Sequence, residues 1–142
     1  MVSTELESTA DRLPPVRLLL ARLHRTLLEA ERKDLERERG RIASAEYLGL
    51  LLNDSRFAWL RPIGRMVAKL DEVIAEAETT GAAISELHAG LLLDEVGQIV
   101  TLRTGLEAGL RYVDWLQREP DVVLAHAALS AALKPRPTAW AA

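Results

Sequence analysis

The stretch that decides the fold is PPVRLLLARLHRTLLEA, residues 14–30. Its apolar residues recur at alternating spacings of four and three, which is typical of an amphipathic helix with a heptad-like seam. The seam consists of Val16, Leu20, Leu23, Leu27 and Ala30. Pro14 and Pro15 suit the opening turn of a helix, where a missing N–H costs little. This stretch therefore predicts a long first helix that buries one face against other helices.

The first helix continues into a run of charged residues, 29–39, in which acidic and basic side chains nearly balance. Pairs such as Arg32 and Glu36 are four residues apart, a spacing at which opposite charges stabilise a helix by about 0.2–0.5 kcal/mol. The run favours a solvated helical extension that projects past the core, and an arm that binds a partner is the alternative. Gly40 is well placed to end the helix.

Cap and turn residues divide the rest of the chain into further helices. Ser44, Ser55, Ser85 and Asp121 are residue types that commonly cap helix N-termini. Pro62 fits only a first helical turn or a kink, so residues 54–60 can form a separate short turn. The predicted helices are 12–40, 44–53, 56–79, 85–118 and 121–133, with tails at 1–11 and 134–142. The expected fold is an all-α, antiparallel bundle of three long helices plus one short helix and a short C-terminal helix, in a single domain over 1–142.

Composition agrees with a helical domain and excludes several classes of protein. The chain has 142 residues, of which 49% are hydrophobic and 27% charged, enough for one domain with a core. The absence of cysteine excludes disulfides, thiolate metal sites and cysteine nucleophiles. A net charge of −3 gives no field that favours nucleic acid or an anionic membrane. No stretch approaches the roughly 18 apolar residues of a membrane span, and no signal-peptide pattern is present. We expect a cytoplasmic protein that binds neither nucleic acid nor membrane.

Small residues form a stripe along the predicted fourth helix. At about 100° per residue, the stripe contains Gly90, Gly97, Thr101, Thr104 and Ala108. The opposite side carries apolar residues, among them Leu91, Ile99 and Leu110. Each glycine inside a helix costs about 1 kcal/mol relative to alanine, so the stripe needs a reason. Close packing of another helix of the same chain, a self-complementary dimer contact, and backbone approach to a planar ligand all fit it.

A second candidate site lies in NDSRFAWLRPIGR, residues 53–65. This stretch contains Arg56, Trp59, Arg61 and Arg65. Cations at a helix N-terminus oppose the helix dipole by about 0.3–1 kcal/mol each, so something nearby should compensate them. One interpretation is structural pairing with Asp114, Glu119 and Asp121 near the end of the fourth helix. The other is an anion site, in which free N–H groups and the arginines converge on a phosphate or carboxylate.

Residues for catalysis or metal binding are sparse. His88 and Glu95 lie one heptad apart on the predicted apolar side of the fourth helix, which permits a metal or haem site or a hydrogen-bonded polar pair. Carboxylate-bridged metal sites in bundles need a Glu-x-x-His motif from each of two helices, and this chain has only Glu-x-His at 86–88. It also lacks a Gly-x-Ser-x-Gly elbow, a Walker loop and a dinucleotide fingerprint. We therefore predict no enzyme activity, no metal site and no cofactor.

One block of the sequence resembles a known group of proteins. The block FAWLRP at 57–62, followed by LDE at 70–72 and EPDVVLAHA at 119–127, is similar to a family of small uncharacterised bacterial helical proteins. The likeness covers roughly residues 20–130. It implies a bacterial source and a helical fold, and it transfers no catalytic or binding residue.

The favoured hypothesis is a non-enzymatic helical bundle that acts through protein–protein contacts, as a homodimer or with another protein partner. The alternative is a sensor that binds a small ligand or anion through the arginines around Trp59. We expect Trp59 to be largely buried against the fourth helix near Val113. We also expect Trp140, in the proline-containing tail, to pack onto the bundle or onto a neighbouring subunit, because a desolvated indole with a satisfied N–H is favourable.

Overall fold

A computed structural model describes residues 8–101 and 106–134, and every regular element within them is helical. A short 3₁₀ turn, Ala10–Arg12, leads into the α-helices. These are α1 Leu13–Arg39, α2 Ser44–Asn53, α3 Ser55–Ala58, α4 Arg61–Thr80, α5 Glu86–Val100, α6 Leu106–Arg118 and α7 Pro120–Leu133. The prediction of an all-α fold is confirmed.

Several helix ends are fixed by the side chains that the sequence offers. The Ser85 hydroxyl accepts a hydrogen bond from the N–H of His88 at 3.1 Å and begins α5. The Asp54 carboxylate accepts one from the N–H of Arg56 at 2.7 Å and begins α3. Gly81 follows α4 with φ +74°, a left-handed conformation that glycine adopts without a steric penalty. The ends of α1 and α2 also lie within one residue of their predicted positions.

Two predicted helices are each divided in the structure. The predicted helix 56–79 becomes α3 and α4, because Pro62 has no N–H to donate and lies in the first turn of a new helix. The predicted helix 85–118 becomes α5 and α6, because α5 ends at Val100. The Thr101 hydroxyl donates to the carbonyl oxygen of Gly97 at 2.8 Å, a local bond that competes with helical pairing. Among the described helices, α1 and α4 span 27 and 20 residues and the next longest, α5, spans 15, so the predicted lengths are confirmed in part.

Helix α1 is central and packs along both α4 and α7. Arg17, near its start, pairs with Asp71 in the second half of α4, and His24 lies against Gly64 near the start of α4. Helices α1 and α4 are therefore antiparallel. Arg12, just before α1, donates to the backbone carbonyl of Ala132 at 3.0 Å, near the end of α7. The start of α7 lies beside the second half of α1, so this pair is antiparallel as well.

The core is built around the predicted seam of α1, all of which is buried. Helices α4, α5, α6 and α7 each add one apolar face. Their buried residues include Ile63, Met66, Leu70, Ala89, Leu92, Val96, Tyr112, Trp115, Val122, Ala125 and Leu129. None of the helices within 8–101 and 106–134 is long and apolar enough to cross a lipid bilayer.

The charged run of α1 belongs partly to the core. Ala30, Glu31 and Leu35 are buried, as is Ile42 just beyond the helix. The prediction of a solvated extension is therefore wrong. The seam continues past Leu27 at three- and four-residue spacing. It is hard to recognise in the sequence because most residues around it are charged.

Candidate functional site

The centre of the candidate site is Glu31, the one charged side chain of the described residues that is fully buried, at 0% exposure. Its Oε2 accepts hydrogen bonds from Nε1 of Trp59 and Nε1 of Trp115, both at 2.9 Å. Arg111 donates to it from Nε at 3.1 Å, and from its NH2 nitrogen to Oε1 at 2.5 Å and Oε2 at 2.6 Å. A buried carboxylate is stable only when it is paired and hydrogen-bonded, and Glu31 is both.

Three separate elements position this cluster. Helix α1 supplies Glu31, the turn between α3 and α4 supplies Trp59, and α6 supplies Arg111 and Trp115. The last two lie four residues apart, which places them on one face of α6. The Trp59 ring lies 6.3 Å from the Tyr112 ring, measured between centroids. The Glu31 carboxylate thus connects α1 with the α3–α4 turn and with α6 through hydrogen bonds. Its oxygens accept hydrogen bonds from protein donors and are not open to a ligand.

Arg56 belongs to the edge of the same cluster. Its NH1 nitrogen lies 3.9 Å from Glu31 and 3.4 Å from Asp34, and its NH2 nitrogen pairs with Glu38. The predicted pairing of the arginines with Asp114, Glu119 and Asp121 is wrong for Arg56, because its acidic partners are all in α1. Asp114 pairs instead with Arg118 on its own helix, at 2.9 Å.

Arg61 is also engaged within the fold. Its NH2 nitrogen donates to the backbone carbonyl of Leu52 at 2.9 Å and lies within 3.4 Å of two neighbouring carbonyls, where it closes the end of α2. The N–H groups of Ile63 and Gly64 donate to the carbonyl of Leu60 at 3.1 Å. The start of α4 therefore does not offer the free N–H groups that the anion-site interpretation needs at these positions. Arg65 is exposed and forms no ion pair with any residue that the structure describes.

Trp59 is partly buried and packs against the hydrophobic core. Its ring lies 6.3 Å from the ring of Tyr112 on α6, the residue that precedes Val113. The fully buried aromatic side chains are Trp115 and Phe57, each 1% exposed. The short helix α3 turns Phe57 into the core and leaves Trp59 at its margin.

The stripe of small residues is open to solvent where it is described. Gly90, Gly97 and Thr101 line a cleft of about 480 Å³ together with Thr9 and Arg12. A Cβ placed on Gly90 or Gly97 would meet nothing within 4 Å. Close packing by another helix from 8–101 or 106–134 is therefore not the reason for these glycines.

The rest of the predicted interface is divided. Ala108 is partly buried on α6, while Thr104 and Trp140 lie outside the described residues. Leu91 and Leu110, predicted to share an apolar face, are 55% and 63% exposed. The two helices bury Leu92 and Val96 on α5 and Tyr112 and Trp115 on α6, which lie on different faces if one continuous helix is assumed, so a single stripe over 85–118 does not persist.

His88 and Glu95 do not form a polar pair in the core. His88 is exposed, and Glu95 is partly exposed and paired with Lys69 at 2.9 Å. Among the residues that the structure places, no group of three His, Asp or Glu side chains could hold a metal ion.

A polar chain connects α6 with α7. The Tyr112 hydroxyl lies 2.7 Å from Nδ1 of His126, whose Nε2 lies 3.4 Å from the Ser130 hydroxyl. Burial raises the pKa of Tyr112 and lowers that of His126, which favours the neutral form of both side chains. A neutral phenol does not supply the negative charge that orients histidine in a Ser–His–Asp triad. This arrangement suits packing rather than catalysis.

A second cleft, which the sequence did not indicate, lies between α1, α2 and the α3–α4 turn. It measures about 280 Å³ and is lined by His24, Leu28, Leu51, Phe57, Leu60, Arg61, Gly64 and Arg65. Burial lowers the pKa of His24 below its ordinary value of 6.5. Two of the predicted ligand residues, Arg61 and Arg65, border this cleft, whereas Arg56 and Trp59 belong to the Glu31 cluster.

Sequence reasoning missed Glu31 because nothing in its immediate surroundings distinguishes it from the other acidic residues of the run. The usable signal was its position four residues after Leu27, in phase with the seam.

The comparisons with known proteins do not indicate a function for this site. Comparison with models of protein families found no match, and neither did comparison with curated proteins or with solved structures.

Proposed function

We propose that this chain is a non-enzymatic helical bundle that acts through protein–protein contacts, and that a second copy binds along the exposed face of α5. The observation that carries the proposal is a pair of leucines one turn apart, Leu87 and Leu91, which are 75% and 55% exposed. A different face of the same helix carries Gly90 and Gly97, above which there is open space. Adjacent exposed apolar side chains are typical of interaction surfaces.

The face is suited to a second copy of itself. If two α5 helices pack antiparallel about a twofold axis at Asp94, the Leu87 and Leu91 side chains of each copy lie against α5 of the other. The same pair of leucines then packs against the partner helix on both sides of the axis, as an isologous contact requires. The two Asp94 carboxylates face each other at the axis, and their repulsion weakens the contact. This proposal places the homodimer in the cytoplasm, an environment that suits a chain without cysteine.

The alternative of an anion sensor built on all the arginines around Trp59 has less support. Arg56 is occupied by acidic side chains of α1, and the NH2 nitrogen of Arg61 is occupied by backbone carbonyls. Glu31, surrounded by donors, supports a stabilising role better than a reactive one. The geometry therefore favours contact between two copies of the chain through the exposed face of α5.

The test is sedimentation velocity on the full chain at rising concentration, up to about 300 μM, where even a weak dimer is populated. Leu91→Lys should shift the monomer–dimer equilibrium toward monomer by at least about tenfold, a change of ~1.4 kcal/mol. Asp94→Asn should strengthen association, because it removes the repulsion at the axis. The matched control is Leu18→Lys, a leucine that is 61% exposed on α1 and should leave association unchanged.

Two results would contradict the proposal. The unmodified chain could remain monomeric throughout the concentration range. Alternatively, Leu18→Lys could weaken association as much as Leu91→Lys, which would indicate non-specific apolar contact rather than a defined α5 face. Circular dichroism of each variant verifies that helix content is retained, so that a loss of association reports on the surface.

A further inference from the structure

We propose that the cleft between α1, α2 and the α3–α4 turn binds a small organic acid, a carboxylate carried on a compact aromatic or short aliphatic body. This inference goes beyond the proposed self-association and does not depend on it. The residues that line the cleft and those of the α5 face have no member in common.

The walls of the cleft select for an apolar body. Half of the lining residues are large and apolar, namely Leu28 of α1, Leu51 of α2, Phe57 of α3 and Leu60 of the α3–α4 turn. The volume of about 280 Å³ lies just below the range of roughly 300–1,000 Å³ for small-molecule sites. It suits a single ring or a short chain rather than a nucleotide.

The charge at the rim selects for an acid. Arg61 and Arg65 are four residues apart at the start of α4 and both border the cleft, whereas its lining contains no Asp or Glu. Only the NH2 nitrogen of Arg61 is engaged by the residues that the structure describes, and Arg65 forms no ion pair with them. Glu95, which borders a neighbouring groove with Arg65, is paired with Lys69 instead. Arginine binds a carboxylate through charge-assisted and often bidentate hydrogen bonds.

The cleft also contains a polar side chain, the imidazole of His24, and the glycine next to it leaves space around the ring. His24 is partly buried there and has no hydrogen-bond partner among the described residues. Gly64 lies against the imidazole ring, and a Cβ at that position would come within 3.2 Å of two ring atoms. Glycine at position 64 therefore allows the His24 ring to keep its position, whereas a larger residue would displace it. Because burial lowers the pKa of His24 and so favours the neutral imidazole, its ring can donate or accept a hydrogen bond to a bound molecule without adding charge.

The experiment titrates the full chain with benzoate, phenylacetate and hexanoate and follows amide chemical shifts by NMR. At least one of these acids should bind with a Kd below about 1 mM and perturb residues around the cleft. Benzyl alcohol, which has a ring but no charge, should bind at least about tenfold more weakly. Inorganic phosphate, which has charge but no apolar body, should also bind at least tenfold more weakly.

Two variants test the assigned residues. Arg65→Gln should weaken binding about tenfold, and its matched control Arg22→Gln, an exposed arginine on α1, should not change it. Gly64→Ala should weaken binding because the added methyl group displaces the His24 ring. Failure of all three acids to bind at about 5 mM would overturn the proposal. Equal binding of benzyl alcohol or phosphate, or an unchanged Kd in Arg65→Gln, would overturn it as well. None of these outcomes bears on the α5 contact, which Leu91→Lys tests separately.

Discussion

Replacing Glu31 by glutamine changes one buried charge and almost no volume, and we expect it to cost about 2–4 kcal/mol of the free energy of unfolding. The amide oxygen can occupy the place of Oε2 and keep the hydrogen bonds from both tryptophans. The amide nitrogen then faces the NH2 nitrogen of Arg111, which donates to Oε1 at 2.5 Å, so that two donors oppose each other. Removing one member of a buried ion pair typically costs about 3–5 kcal/mol. The Arg111 side chain is 36% exposed and can recover part of its hydration, which lowers the expected cost.

The assay is urea unfolding followed by far-UV circular dichroism, since Trp59 and Trp115 both contact Glu31 and their fluorescence would change without any change in stability. The matched control is Glu29→Gln, an exposed glutamate on the same helix, which should change stability by less than about 0.5 kcal/mol. If both substitutions have the same small effect, water reaches the carboxylate in solution and the argument from burial is refuted.

One further prediction concerns the tryptophan donors to Glu31, and another concerns the two partly buried histidines, His24 and His126. Trp115→Phe should cost about 1–3 kcal/mol, because it removes a buried donor to Glu31, whereas Trp59→Phe should cost less, because Trp59 is partly exposed; chemical unfolding compares the two directly. Burial holds the pKa values of His24 and His126 below 6.5, so the unfolded chain binds more protons and stability should fall as the pH drops below about 6.5. The dependence of unfolding free energy on pH between 5 and 7.5 should become shallower in His24→Gln, and an unchanged slope would show that His24 titrates alike in both states.

The parts of the fold that depend on local chemistry could be predicted from the sequence. The seam of α1, the turn at Gly81, the cap at Ser85 and the break at Pro62 all follow from spacing or from a backbone property of one residue. The α-helical class follows from the same signals, because they act within a few residues of each other.

The predictions that failed depend on which helices pack against each other in the folded chain. The partner of Arg56 could not be read from the chain, because Asp34 and Glu38 are brought to it by tertiary packing and any acidic residue nearby would suit it equally. The exposure of Leu91 was missed because a helix assumed to run from 85 to 118 was given one continuous phase. The cleft at His24 arises from three elements whose approach has no signature at residue 24 itself.

The buried carboxylate also fixes the alignment of α6 along α1. A slip of α6 by one turn in one direction would bring Glu107 to the place of Arg111, and a slip in the other direction would bring Trp115 there. The first displacement would put a second negative charge beside Glu31, and the second would leave its buried carboxylate without the arginine that pairs with it. Both neighbouring alignments are thus penalised, and one buried glutamate favours the observed register of α6 against α1.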